Sequence, residues 1–187
     1  MKPESIAFLP VAFWLVPAPP DHQHLSAIID DLARELNAPR FEPHVTLYAG
    51  ARGPDDDVAA LLSRAAQQVE TMDLRVRAVG TLPDLFKTLY LDLEPDPRAE
   101  RLCRLFRAGL QPALDYALSP HLSLLYKDLP VTTRAALIRR FDLVGRRIRF
   151  GQMAAVRPRA GSHDWLEIET WDAWLRRDLG SPSSVHR

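Results

Sequence analysis

Cysteine is nearly absent from this chain: Cys103 is the only one among 187 residues, so no disulfide can form within it. Its eight glycines are scattered singly, which leaves no glycine-rich loop to cradle a nucleotide phosphate. Prolines 17, 19 and 20 interrupt the apolar stretch near the start, so no run is long enough for a secretion signal or a membrane span. These absences predict a protein of a reducing, cytoplasmic compartment that does not contact a membrane.

The chain has no net charge, because 24 basic residues balance 24 acidic ones, but the charges are unevenly distributed. Residues 98–159 carry 13 Lys and Arg against 4 Asp and Glu, whereas residues 1–97 carry 8 against 15. The electropositive second half could attract a phosphorylated ligand. The alternative is that its arginines form ion pairs with the acidic first half.

Two histidines lie in nearly the same local sequence, Pro43-His44-Val45-Thr46-Leu47-Tyr48 and Pro120-His121-Leu122-Ser123-Leu124-Leu125-Tyr126. Each motif reads His, apolar, hydroxyl, apolar, so on a strand the imidazole and the hydroxyl share one face. Two chance matches among six histidines are expected well under about 1% of the time. The alternative is that each histidine is an ordinary polar residue on a half-buried strand. If both copies face one cleft, they bring two imidazoles and two hydroxyls together.

The order of the predicted elements repeats along the chain. After a strand at residues 12–16, periodicity predicts a helix over 22–36, which Asp21 caps and which ends before Pro39. The further predictions are a first His strand (40–48), a helix to about 70, strands at 74–79 and 89–93, a helix beginning at Pro97 with Asp96 as its cap, a second His strand (120–126), a helix (132–141), and strands at 147–156 and 165–171. Helix, His strand, helix, strand, strand therefore occurs twice. We expect one domain over residues 1–179 and a disordered tail at 180–187.

The two motifs suit the opening of a cyclic phosphate without a metal. Hydrolysis needs a base to take a proton from water and an acid to protonate the departing ribose oxygen, and histidine can serve as either near neutral pH. The hydroxyls of Thr46 and Ser123 can donate to the non-bridging phosphate oxygens. Neither motif holds a carboxylate that faces the cleft as a third zinc ligand, so we expect no metal and no cofactor. The sequence does not assign the base between His44 and His121.

These motifs, together with Trp14-Leu15-Val16-Pro17 and the approach Ala38-Pro39-Arg40-Phe41-Glu42, resemble the cyclic phosphodiesterase branch of the 2H phosphoesterase superfamily. The resemblance implies an α+β fold of two pseudo-symmetric lobes, each an antiparallel sheet flanked by helices, with the active-site cleft between them. It implies a hydrolase that opens 2′,3′-cyclic nucleotides or ADP-ribose 1″,2″-cyclic phosphate, with a small nucleotide-type substrate as its partner. It also makes Trp14 and Tyr126 ligand contacts.

The aromatic residues near the motifs leave several possibilities open. Simple alternation places Tyr126 on the face opposite His121, so it reaches the cleft only through a bend or at the strand end. Tyr48 has the parity of His44 and is an equal candidate, whereas Trp14 could be plain core. RNA-end processing, with RNA 3′ ends as the partner, is the first alternative function, and a non-catalytic nucleotide-binding module is the second. We expect a monomer.

Overall fold

The computed structural model describes residues 8–158 and 171–180, in which antiparallel strands and helices form an α+β fold. The strands are β1 (Leu9–Pro17), β2 (Val45–Arg52), β3 (Met72–Gly80), β4 (Leu89–Leu93), β5 (His121–Leu125), β6 (Arg147–Pro158) and β7 (Trp171–Asp178). The helices are α1 (Asp21–Leu36), α2 (Val58–Gln67), α3 (Pro97–Ala108) and α4 (Val131–Ile138), and a short 3₁₀ turn spans Leu85–Lys87. The predicted α+β class is confirmed. Each helix in these residues is too short or too polar to span a lipid bilayer.

The strands pair in the order β1-β2-β5-β4-β3-β6-β7, and a further pairing of β1 with β6 closes the first six into a ring. The ring has an internal twofold relation: β1–β2 corresponds to β4–β5, and β6–β1 corresponds to β3–β4. Each half therefore has the order strand, helix, His strand, helix, strand. The sequence predicted that the last strand, β7, corresponds to β4. In the structure β1 corresponds to β4, so each repeat begins with a strand and not with a helix. Strand β7 is an addition on the edge of β6.

The helices cover one face of the strands and bury the main core. Asp96 caps α3 by accepting from the Arg98 N–H, and Pro97 occupies its first turn, as the sequence predicted. Phe106 of α3 stacks on Phe13 of β1 with ring centroids 3.9 Å apart. Helix α3 of the second half packs on β2, and α1 of the first half packs on β5. A smaller apolar cluster lies apart from this core, and it comprises Ala12, Trp14, Val16, Ala154 and Val156.

Several element boundaries differ from the sequence predictions. Asp21 does not cap α1 but lies in its first turn, where its carboxylate accepts from Arg146 Nη2 at 2.8 Å and from the Arg149 N–H at 2.9 Å. The helix ends at Leu36 because Asn37 adopts a left-handed conformation, φ 49°. The predicted strand 165–171 lies outside the described residues except for Trp171, where β7 begins. Residues 181–187 of the predicted tail also lie outside them.

Candidate active site

The two histidine motifs lie on neighbouring strands. Val45 of β2 is opposite Leu122 of β5, so antiparallel pairing places His44 across from Ser123 and Thr46 across from His121. Both histidines line one cavity of about 330 Å³. Its other lining residues include Trp14, Thr46, Lys87, Tyr116, Tyr126 and Trp171. The strand pairing therefore brings the two imidazoles to a single site.

Each imidazole is fixed by the same local hydrogen bond. His44 Nδ1 donates to the Glu42 carbonyl oxygen at 2.7 Å, and His121 Nδ1 donates to the Ser119 carbonyl oxygen at 2.7 Å. A carbonyl can only accept, so both Nδ1 atoms carry the proton. A proline, with its fixed φ, separates the two bonded residues in each motif. The bond leaves Nε2 of each ring as the atom that can exchange a proton with a ligand.

His44 is deeply buried against aromatic rings. Its side chain is 7% exposed and stacks on Trp14, with ring centroids 3.6 Å apart and planes 10° apart. Trp171 in turn stacks on Trp14 at 5.8 Å. Burial lowers the pKa of His44 to about 4, and the opposing bond to the Glu42 carbonyl does not compensate. The ring is therefore neutral at neutral pH, with Nε2 as an acceptor.

His121 has a more open and more polar environment. It is partly exposed, and Tyr90 meets it edge-on with centroids 5.8 Å apart. Burial lowers its pKa, the bond to the Ser119 carbonyl raises it, and the charge of Lys87 lowers it again. The two histidines thus share their tautomer but not their surroundings.

A β-bulge in β2 turns Tyr48 away from the cavity. Trp14 is opposite Thr46 and Phe13 is opposite Tyr48, so Leu47 is an extra residue. Leu47 and Tyr48 are both fully buried in the main core, and the Tyr48 hydroxyl donates to the Leu114 carbonyl at 3.2 Å. The prediction that Tyr48 faces the cleft is wrong, because strict alternation does not hold across the bulge.

The matching bulge in β5 brings Tyr126 to the cavity. Tyr90 is opposite Ser123 and Leu89 is opposite Leu125, so Leu124 is the extra residue. Alternation therefore slips by one, and Tyr126 lines the cavity that His121 lines. Burial raises the pKa of Tyr126 to about 12, so its phenol stays neutral and can donate a hydrogen bond. This bulge is the bend through which Tyr126 reaches the cleft. Contact of Tyr126 and Trp14 with a ligand stays a prediction.

A family model described as the 2′-5′ RNA ligase superfamily matches residues 16–158, which include both histidine motifs. The chain belongs to this superfamily. It is 25% identical over 116 residues to a cyclic phosphodiesterase of Arabidopsis thaliana, covering 62% of this chain and 64% of that protein. It is also 25% identical over 138 residues to a 2′,3′-cyclic-nucleotide 3′-phosphodiesterase of Kluyveromyces lactis, covering 64% and 65%. The matches thus span just under two thirds of each relative's length.

Solved structures show that the fold is that of the superfamily. The crystal structure of Escherichia coli LigT complexed with 3′-AMP matches with a TM-score of 0.59 at 13% identity, over 94% of this chain and 100% of that chain. A crystal structure described as a phosphoesterase matches with a TM-score of 0.57 at 11% identity, over 92% and 99%. At this identity the likeness concerns the fold alone.

In this member of the superfamily, the two motif hydroxyls are not equivalent. Thr46 is half-buried, lines the cavity, and its hydroxyl forms no hydrogen bond with a described residue. Ser123 is 4% exposed, and its hydroxyl donates to the Phe86 carbonyl at 2.6 Å. Ser123 therefore anchors the 3₁₀ turn, and its predicted contact with phosphate stays a prediction.

Sequence reasoning missed several residues that line the cavity. Ala49 follows His44 by five positions, as Tyr126 follows His121, so aligning the two motifs would have found it. Trp171 comes from a segment that no local pattern links to the motifs. For Lys87 the sequence allowed a contact with phosphate but favoured an exposed hairpin position, and the structure places it at the cavity. In residues 8–158 and 171–180, no group of three or more His, Cys, Asp or Glu is placed to hold a metal ion.

Proposed function

We propose that this protein hydrolyses cyclic phosphodiesters of small nucleotides to phosphomonoesters, with His44 and His121 as base and acid. 2′,3′-Cyclic nucleotides and ADP-ribose 1″,2″-cyclic phosphate are the proposed substrates. One observation carries the proposal: two imidazoles line one cavity, and each is held through Nδ1 so that Nε2 is free. The names of the two relatives, a cyclic phosphodiesterase and a 2′,3′-cyclic-nucleotide 3′-phosphodiesterase, also support it.

In the proposed reaction His44 is the base. Its buried ring is neutral, so Nε2 can take a proton from water as the water oxygen bonds to phosphorus. His121 begins as an imidazolium and gives its Nε2 proton to the ribose oxygen as that P–O bond breaks. Bound phosphate favours the charged form of His121 because opposite charges attract. Protons and charge balance, and the product is a phosphomonoester.

Neutral donors complete the proposed site. The free hydroxyl of Thr46 can donate to a non-bridging oxygen, whose negative charge grows in the transition state. The phenol of Tyr126 is protonated and lines the same cavity, where it also hydrogen-bonds with the Ser123 side chain. Such donors are effective in a partly buried cavity because water competes less for the charge.

A small substrate is favoured over long RNA by the arrangement of the arginines. Those of α3 lie on the helix that packs against the core, on the far side of β2 from the cavity. Several arginines of residues 98–159 are in ion pairs, including Arg98–Asp96, Arg107–Asp115, Arg140–Glu35 and Arg146–Asp21. Paired cations offer a weaker continuous track to a phosphate backbone.

The test is to incubate the protein with 2′,3′-cyclic AMP in the presence of EDTA and to identify the product. We expect a monophosphate, and a loss of about 10²- to 10⁴-fold in kcat/KM for both His44→Ala and His121→Ala. His24→Ala is the matched control, because His24 is exposed on α1 and does not line the cavity. Nucleotide binding without release of monophosphate would instead identify a binding module, and faster turnover of an RNA with a cyclic end would identify an RNA-end enzyme.

A further inference from the structure

Lys87 brings a cation to the edge of the proposed catalytic site. It ends the 3₁₀ turn between β3 and β4 and lines the same cavity as His121. Its Nζ lies 3.3 Å from Ser119 Oγ and 5.8 Å from the centroid of the Tyr90 ring. Ser119 is also the residue whose carbonyl binds His121, so Lys87 and His121 are held by one segment.

Lys87 forms no ion pair with the residues that the structure describes. Among residues 8–158 and 171–180, no carboxylate lies within ion-pairing distance of its Nζ, in contrast to the paired arginines of the surface. Two carboxylates lie in this part of the site, and neither pairs with Lys87. Asp84 also lines the cavity and accepts from the Phe86 N–H through Oδ1, and Asp92 pairs with Arg77 Nη2 at 2.7 Å. The ammonium group is thus available to an anion in the cavity.

The turn that carries Lys87 is held at several points. Ser123 Oγ donates to the Phe86 carbonyl at 2.6 Å, and the Thr88 hydroxyl donates to the Lys127 carbonyl at 2.7 Å. The Leu82 N–H donates to the carbonyl of Lys87 itself at 2.8 Å. Anchoring of the backbone lowers the conformational cost of placing the ammonium group at the cavity.

Among the described residues that line the cavity, a lysine or arginine is present only in the second half. Trp14 and Tyr90 are counterparts in the twofold relation, since Trp14 is opposite Thr46 and Tyr90 is opposite Ser123. Lys87 lies three residues before Tyr90, and its counterpart, three residues before Trp14, is the fully buried and uncharged Val11. Lys87 therefore offers an anion a cationic contact in the second half, where the Asp84 carboxylate also lines the cavity, while Trp14 and Trp171 leave the first half apolar and aromatic.

We propose that Lys87 is a substrate-binding residue whose ammonium group contacts a non-bridging phosphate oxygen of the cyclic nucleotide and of its product. The identity of the substrate rests on the proposed function, but anion binding by Lys87 does not. The product gains a second negative charge above about pH 6, whereas the cyclic diester carries one. Lys87 should therefore contribute more to product binding than to substrate binding.

The experiment measures binding of 3′-AMP and of inorganic phosphate by calorimetry above pH 7 for the wild type, Lys87→Met, Lys87→Arg and Lys127→Met. We expect Lys87→Met to weaken 3′-AMP binding about tenfold or more and to reduce the salt dependence of Kd. Lys87→Arg should retain most of the affinity. Lys127 is the matched control, because its Nζ donates to the Asn37 carbonyl and it does not line the cavity.

Kinetics on 2′,3′-cyclic AMP provide the second arm. In Lys87→Met, KM should rise by a smaller factor than the Kd of 3′-AMP rises. The pKa of His121, followed by NMR, should increase, because Lys87 opposes its charged form while Asp92 and Asp84 favour it. Unchanged binding of both anions by Lys87→Met, or no anion binding by the wild type, would overturn the proposal. Phosphate binding that depends on Lys87 without any turnover would leave it standing and reject the proposed hydrolase.

Discussion

Each half of the cleft supplies one histidine from a corresponding strand, yet the surroundings of the two histidines differ. In the first half, Trp14 stacks on His44 at 3.6 Å and leaves the ring 7% exposed. In the second, Tyr90 meets His121 edge-on at 5.8 Å and Lys87 lines the cavity beside it. A duplicated scaffold thus places the rings symmetrically, and the residues from β1 and from the β3–β4 connection make them chemically distinct. We infer that this asymmetry separates base from acid.

The largest expected effect is on the pH dependence of kcat/KM. His44 must be neutral, so activity should rise with pH through about 4. His121 must be protonated, so activity should fall as pH rises through its pKa, which burial holds below the usual 6.5. Replacing either histidine by Asn should lower kcat/KM by about 10²- to 10⁴-fold. His44→Asn should remove only the acidic limb of the pH profile, and His121→Asn only the alkaline limb. If His44→Asn removed the alkaline limb instead, the roles of the two halves would be reversed.

Replacement of the two aromatic counterparts should separate the halves in stability. Trp14→Ala deletes a buried ring and should lower the free energy of unfolding by about 3–5 kcal/mol. Tyr90 is partly exposed, so Tyr90→Ala should cost less, about 1–2 kcal/mol. Urea denaturation measures both.

The same Trp14→Ala variant also tests the origin of the pKa of His44. Water admitted beside the ring should raise this pKa from about 4 toward its usual value, which NMR titration can follow. Trp14→Phe is the control, because it retains a stacked ring. A pKa that stays near 4 in Trp14→Ala would mean that Trp14 does not provide the burial.

A third effect is the pH dependence of stability that His44 alone contributes. Its pKa is lowered in the folded state, so the unfolded chain binds a proton between about pH 6.5 and 4 that the folded protein does not bind. The contribution is fully present above pH 6.5 and is lost as pH falls to 4, by about 3 kcal/mol. His44→Leu should lose correspondingly less stability than the wild type between pH 7 and 4. His24→Leu, altered at an exposed position on α1, should follow the wild type, and a His44→Leu curve parallel to it would contradict the prediction.

Much of this site was predictable because its signals are local. The shared alternating pattern of the two motifs predicted that His44 and His121 occupy corresponding strands. The capping pattern of Asp96 and Pro97 located the start of α3. Amphipathic spacing likewise located α1, including its end before Pro39. Each of these features depends on residues within a few positions of one another.

The rest depends on pairing between distant segments. Alternation along the strand places Tyr48 on the same face as His44, but Leu47 is an extra residue opposite Phe13 and Trp14 and changes the face of Tyr48. This bulge is visible only in the pairing with the partner strand. The equivalent extra residue at Leu124 shifts the alternation of β5, so that Tyr126 lines the cavity. Lys87 resembled an exposed hairpin lysine, since nothing near it in the sequence tells that its turn is anchored by Ser123.

The smallest expected effect concerns the segments that carry the two histidines. Glu42 accepts from Arg176 Nη1 and Nη2 at 2.9 and 2.8 Å and lies 3.3 Å from His22. The Ser119 side chain contacts Lys87 Nζ at 3.3 Å. Burial raises the pKa of Glu42, but the bonds to Arg176 and His22 outweigh it and hold the pKa below its usual value. An ion pair thus joins the first segment to β7, and no ion pair joins Ser119 of the second segment to another described residue.

Arg176→Met removes this tie between β7 and the Glu42 segment. Because the pair is partly exposed, we expect a loss of at most about 1 kcal/mol in unfolding free energy and a decrease of under about threefold in kcat/KM. The pKa of Glu42 should rise, since its cationic partner is gone. Arg177→Met is a matched control on the same strand, because Arg177 contacts Ser63 instead. A decrease of more than about tenfold in Arg176→Met alone would mean that the carbonyl bond and the stacking on Trp14 do not suffice to orient His44, and that β7 takes part in holding the base.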